Sequence, residues 1–160
     1  MSALSRALGC WLLAIALATA TSTLRAAPVT EADALQFVTK FKVGSNLLTM
    51  ALQAARSTQT YAMLASKLGQ DRAQALVTQE LRCLLPEYQP QWDNNLATFY
   101  AEVFTSDQLI SVAQQGRSSK YFADIAAQQG AVGKRMQSKS SSLLSSYVSG
   151  ALTNVMRNRP

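Results

Sequence analysis

Phe104-Thr105-Ser106-Asp107-Gln108-Leu109 is the stretch that sets the fold class. Thr105 suits the position just before a helix, where its hydroxyl accepts from a free backbone N–H. Gln108, three residues on, can reach back to the Thr105 N–H, and the pair forms a capping box. Phe104 and Leu109 flank the cap and can close over it as a hydrophobic staple. Asp107 places a negative charge at the positive end of the helix dipole. A helix is therefore expected to begin here, and Gly116 is placed to end it. Upstream, Trp92, Leu96, Phe99 and Val103 recur at intervals of four, three and four, the spacing of a helix face turned to a core.

The same periodicity extends in both directions. Thr30-Glu31-Ala32-Asp33 combines a capping hydroxyl with two first-turn acids, and Leu35, Val38 and Phe41 come next at helical spacing with Phe37 beside them. Gly44 and Ser45 break the chain before Leu47, Met50, Ala51, Ala54 and Ala55 line a second helix. The polar run Arg56–Thr60 predicts a bend ahead of Tyr61, Leu64 and Leu68, and Gly69 a stop. Asp71 is expected to cap a helix with Ala73, Leu76, Val77, Leu81 and Leu84 inward, ending before Pro86; Pro86 to Pro90 reads as a turn or a helix start. Beyond Gly116, Ser118 or Ser119 is expected to cap a helix with Phe122, Ile125 and Ala126 inward, weakened at Gly130 and Gly133. A last helix would carry Met136, Leu143, Leu144, Tyr147, Val148, Ala151, Leu152 and Val155. Its Ser-rich part, Ser138–Ser146, keeps the apolar spacing. Period-2 alternation is lacking. The expected architecture is all-α: a single compact bundle of about six helices over residues 27–160.

The first 26 residues stand apart from that domain. Arg6 and the free amine precede the apolar run Ala7–Ala20, and Thr21–Ala26 turns small and polar. This is the pattern of a secretory signal peptide, shorter than the roughly 20 apolar residues of a permanent span. Cleavage after Ala26 is expected, since a later cut would put Pro28 first. Cys10 lies at the start of the apolar run, whereas lipidation would need a cysteine at its end. Processing removes Arg6, Arg25 and Cys10, leaving Cys83 alone, so no internal disulfide can form. The expected location is the periplasm.

Three features in order carry a family resemblance: the export segment, the helical pair at 35–55, and Tyr-Ala-Glu-Val-Phe-Thr-Ser-Asp-Gln-Leu at 100–109. The chain resembles the exported bacterial family called domain of unknown function 2059. There, an aromatic-rich helix runs into Phe-Thr, an acidic residue and Leu, then FY-x-S-P-x-G-x-K. Phe104, Thr105, Asp107 and Leu109 match the first part, Gln108 stands where Glu is common, and Lys120 falls on the final Lys. Ala113-Gln114 replace the aromatic pair, and Gly116-Arg117 replace Ser-Pro. The resemblance implies an exported helical domain with no assigned reaction.

Composition narrows the chemistry. With 15 Lys+Arg, 9 Asp+Glu and no His, the chain has no imidazole base or ligand. Ser118-Ser119-Lys120 and Ser138-Lys139-Ser140 place Ser near Lys, but such spacings are ordinary on solvated helix faces. Cys83 reads as a buried or half-buried small apolar residue. Glu80, Glu87, Asp93, Glu102, Asp107 and Asp124 could supply a carboxylate pair only if the fold brought two of them across a cleft. Gly130-Ala131-Val132-Gly133-Lys134-Arg135 lacks the phosphate-loop spacing and a preceding strand. Neither a cofactor nor a metal is expected.

The one global electrostatic feature is cationic. Lys134, Arg135, Lys139, Arg157 and Arg159 load a C-terminal quarter with no acid after Asp124. Lys120, Tyr121, Lys134 and Arg135 are therefore the candidate contact surface. The expected partner is another envelope protein, with an anionic membrane surface as a second option and no nucleic acid. A non-enzymatic protein-binding or assembly-support role is expected. The rivals are a periplasmic immunity protein that neutralises a toxin and a cell-wall hydrolase working with acids alone.

Overall fold

The computed structural model describes residues 29–158. The export segment expected at 1–26, the cleavage expected after Ala26 and the C-terminal Arg159 lie outside the described residues. Seven α-helices run in order: α1 (Glu31–Lys40), α2 (Leu47–Arg56), α3 (Gln59–Leu68), α4 (Gln70–Val103), α5 (Ser106–Gln115), α6 (Phe122–Lys139) and α7 (Ser141–Arg157). A 3₁₀ turn, Gly116–Ser118, joins α5 to the α6 approach. The described residues contain no strand, and the all-α bundle expected from the sequence is the observed class.

Side-chain caps start three of the seven helices. Thr30 Oγ1 accepts from the Asp33 N–H at 3.1 Å, and Thr58 Oγ1 accepts from the Tyr61 N–H at 3.1 Å. The capping box at α5 is complete: the Gln108 N–H donates to Thr105 Oγ1, and the Thr105 N–H donates to Gln108 Oε1 at 2.8 Å. Phe104 and Leu109 are both buried at that corner. Gly69, at φ +83, ends α3 and opens α4, a conformation costly for a residue with a Cβ. Asp71 is thus a first-turn acid and not the cap it was expected to be.

The largest departure from expectation is α4. It does not end before Pro86 but continues through Pro86 and Pro90 for 34 residues, about 50 Å. Each proline deprives one carbonyl, that of Arg82 or Pro86, of its helical partner. Positions 82, 86 and 90 are spaced by four and all are exposed, so water can take the orphaned carbonyls. Each proline costs about 3 kcal/mol in a helix interior. Beyond them Trp92, Leu96, Phe99 and Tyr100 are all buried, at roughly 1.5–3 kcal/mol each, which offsets that cost. The buried α7 residue Tyr147 ties the same region, its hydroxyl donating to the Leu81 carbonyl at 2.5 Å. Tyr88 stacks on the Tyr147 ring at 4.8 Å between centroids.

This long helix is the spine of the bundle: α1, α2, α3, α6 and α7 all pack on it. Ala73, Val77 and Leu81 form the buried stripe of its first half. Val103, expected to close the second stripe, is instead exposed, because Phe104 at the corner takes the buried place. Further on, α6 runs unbroken through Gly130 and Gly133, since Ile125, Val132 and Met136 anchor it on either side. The break falls at Ser140, so Met136 belongs to α6 and not to the last helix. Ser140 is buried, and its hydroxyl accepts from Asn95 Nδ2 of α4 at 2.9 Å.

Candidate functional site

The four cationic-surface residues do not converge. Lys120 and Tyr121 precede α6, with the Lys120 ammonium 4.8 Å from the Tyr121 ring centroid. Lys134 and Arg135 lie 13 or more residues further along, about 20 Å at the helical rise. Arg135 is committed within the molecule: Nη1 meets Glu102 Oε2 at 2.5 Å, and its guanidinium lies 5.8 Å from the Phe99 ring centroid. Lys139 sits over the same ring at 5.5 Å. Lys134 is exposed. The residues thus form two separate cationic points.

A groove does form elsewhere, between α1 and α5. Its apolar lining is Val29, Phe37, Phe41, Leu109, Ile110 and Ala113, and it encloses about 330 Å³. Local chemistry positions both walls. The Thr30 cap starts α1, and the Thr105 capping box sets the direction of α5. The floor is tied to the core by a run of rings: Phe41 to Phe37 at 5.0 Å, Phe37 to Tyr100 at 5.8 Å, and Tyr100 to Phe104 at 5.3 Å. Tyr100 is buried, and its hydroxyl accepts from Gln129 Nε2 of α6 at 3.1 Å. Burial pushes its phenol up from the usual value and the Gln129 bond opposes that.

The groove leaves large apolar side chains in water. Phe41 is 41% exposed and Ile110 53%. Its rim is polar and carries one charge of each sign, Asp33 and Lys40. Gln36 and Gln114 add neutral hydrogen-bonding groups. This combination suits a partner that brings an apolar stripe and a few charges, the arrangement of helix-in-groove recognition. The sequence signal for it is the Phe37–Phe41 pair at i, i+4. It widens the apolar arc of α1 beyond what Ala34 and Val38 already bury against the core.

The other candidate groups have structural partners. Ser119 is buried and shares a 2.8 Å hydrogen bond with the Ser111 hydroxyl, while its Oγ accepts from the Tyr121 N–H. Ser140 is held by Asn95. Cys83 is exposed and not buried as expected, on a face of α4 shared with Asp71, Thr78 and Arg82. That face and the α1/α5 groove each hold a single carboxylate. Among the described residues, no group of three or more His, Cys, Asp or Glu is placed to hold a metal ion.

A polar latch fixes the α1–α2 turn to α4. Gln89 Nε2 donates to the Gly44 carbonyl at 3.0 Å and to Asp93 Oδ1 at 2.8 Å. Gly44 is buried, and a Cβ there would overlap Asp93 Oδ1 and stand 3.0 Å from Trp92 Cδ1. The sequence reading of Gly44 as a chain breaker missed this close approach. Burial raises the Asp93 carboxyl above its usual range, with the Gln89 bond opposing the rise. Trp92 Nε1 is buried beside this cluster without a protein partner. Comparison with protein-family models, curated proteins and solved structures finds no match to this chain.

Proposed function

We propose that this chain is an exported, non-enzymatic protein-binding or assembly-support module of the bacterial periplasm, and that the α1/α5 groove is its contact surface. The observation that carries the reading is the groove itself. It leaves Phe41 and Ile110 in water beside a rim bearing both charge signs, on walls fixed by two capped helices. Such an exposed apolar patch with a polar rim is the usual mark of a partner surface. The export half of the reading comes from the sequence alone: the charged start, the short apolar run and the small-residue end of residues 1–26. The expected partner is another envelope protein.

The test is a photo-crosslinking residue in place of Ile110, expressed in the full chain in cells of a Gram-negative host. A discrete crosslink to an envelope protein, a second copy of this chain included, is expected. The crosslink should be lost when Phe41 is changed to Glu, which buries a charge in the groove. The same crosslinker at Lys134 is the comparison. A partner captured from Lys134 and not from Ile110 would move the contact surface to the cationic end of α6, and no capture from either would refute the binding role.

A further inference from the structure

We propose that the α1/α5 groove is covered by the same groove of a second copy of this chain, across a two-fold axis beside Phe37. The inference rests on the groove being a protein-binding surface and names its occupant. The α1 wall carries Asp33 near one end and Lys40 at the other. Seven residues is two helical turns, so both side chains share one face, about 10 Å apart along the axis. Phe37 lies between them and Phe41 just beyond Lys40, and both line the groove.

A two-fold interface is self-complementary: where residue i meets residue j, j also meets i. Apposing two α1 walls antiparallel sets Asp33 opposite the partner's Lys40, and Lys40 opposite the partner's Asp33. The Phe37 rings then fall near the axis, with Phe41 and Ile110 covering the flanks. Parallel apposition would instead set acid against acid and base against base, which costs free energy at an interface. The charges are available for this. Thr30 Oγ1 donates to Asp33 Oδ2 at 2.7 Å and leaves the other carboxylate oxygen for an ammonium. The Lys40 ammonium lies over the exposed Phe41 ring at 5.7 Å, at the solvent side of the groove. An anionic amphiphile would satisfy Lys40 but lay its apolar chain against Asp33, so the paired signs favour a protein surface carrying the same pair. Two ten-residue walls give a small interface, which puts the dimer at the weak end of the range.

The experiment is sedimentation equilibrium of the processed chain from micromolar to near-millimolar concentration, with circular dichroism confirming helix content. The unaltered chain is expected to show a concentration-dependent dimer. Lys40→Glu alone makes both ends acidic, and Asp33→Lys alone makes both ends basic. Each should self-associate at least about tenfold more weakly, and an equimolar mixture of the two should recover the dimer as a heterodimer. A monomer at every concentration overturns the proposal, as does a dimer indifferent to both reversals. The crosslinker at Ile110 separates this failure from that of the binding role. Capture of a different envelope protein by a monomeric chain removes the second copy and leaves the binding surface. A crosslink only to residues preceding Val29 of the same chain also overturns it, and no crosslink in a monomeric chain removes both.

Discussion

Gly44→Ala is the sharpest test of how the bundle holds its first two helices to the spine. The new Cβ would overlap Asp93 Oδ1 and stand 3.0 Å from Trp92 Cδ1. Neither neighbour is a free chain end, because Asp93 is held by Gln89 and Trp92 is buried. Either Asp93 gives up its Gln89 bond and swings aside, or the turn lifts away from α4. Overpacking of this kind costs about 1–3 kcal/mol. Lifting the turn also stretches the Gln89 bond to the Gly44 carbonyl, worth about 1 kcal/mol. Against this, alanine orders an unfolded chain by about 0.4–1 kcal/mol relative to glycine. The expected net loss is about 1–3.5 kcal/mol, read as a lower midpoint in urea with an unchanged slope. If the clash with Asp93 is the cause, Asp93→Ala in the Gly44→Ala background should recover part of the loss and show a coupling between the two sites. A Gly44→Ala chain within about 0.5 kcal/mol of the parent would refute the close approach.

Three other outcomes are expected from the remaining polar and backbone features. Asp93 is raised by burial, so the folded state holds its proton to higher pH than the unfolded chain; stability should fall as pH rises from about the ordinary 3.8 through the raised value. Asp93→Asn keeps an acceptor for Gln89 and should flatten that part of a stability-versus-pH curve; an unchanged slope would show that Asp93 is not its source. The Tyr147 phenol is pushed up to about 12 from 10 by burial, so stability should also fall across that alkaline interval. Tyr147→Phe should remove this fall, and at neutral pH should cost about 1–2 kcal/mol for the lost bond to the Leu81 carbonyl. Pro86→Ala restores an N–H beneath the exposed Arg82 carbonyl and should raise stability by about 1–2 kcal/mol in denaturant titration; a loss would mean that the proline shapes the helix to fit its neighbours.

Local chemistry was legible wherever one or two residues decide a conformation. Thr30, Thr105 with Gln108, and Gly69 act within three or four residues of themselves, and each marks a helix boundary as its type predicts. Pro86 was misread because the rule for proline in a helix describes a local cost and not the packing of the residues beyond it. Whether the helix continues depends on Trp92, Leu96, Phe99 and Tyr100 finding a core, which is a tertiary fact. Gly130 and Gly133 obey the same logic on α6. Gly44 shows the reverse error. Its meaning lies in the close approach to Asp93, 49 positions away in sequence, and no periodicity reports that. The groove was only half legible, through the Phe37–Phe41 pair, for a related reason. Phe41, at the end of α1, and Ile110, on α5, lie on separate elements in sequence, and only the packing of α1 beside α5 brings them to one uncovered groove.

The latch and the groove are linked through α1. Helix α1 packs on α4 along one side and on α5 along another, and its C-terminal end runs directly into the turn that carries Gly44. Lys42 in that turn adopts a left-handed backbone, at φ +52, which costs a non-glycine residue about 1 kcal/mol. The chain tolerates that strain because the next two residues are held: the Val43 N–H donates back to the Val38 carbonyl of α1 at 2.9 Å, and Gln89 of α4 holds the Gly44 carbonyl. Phe41 stands immediately before the strained residue, so the same contacts that secure the turn set how far its ring projects over the groove. Loosening the latch should therefore be felt at the groove. Gly44→Ala is expected to weaken capture from the Ile110 crosslinker under conditions where the chain remains folded, whereas Pro86→Ala, on the solvent face of α4, should leave capture unchanged. Equal capture from both variants would show that α1 is held by its own packing on α4 and that the turn carries no information to the contact surface.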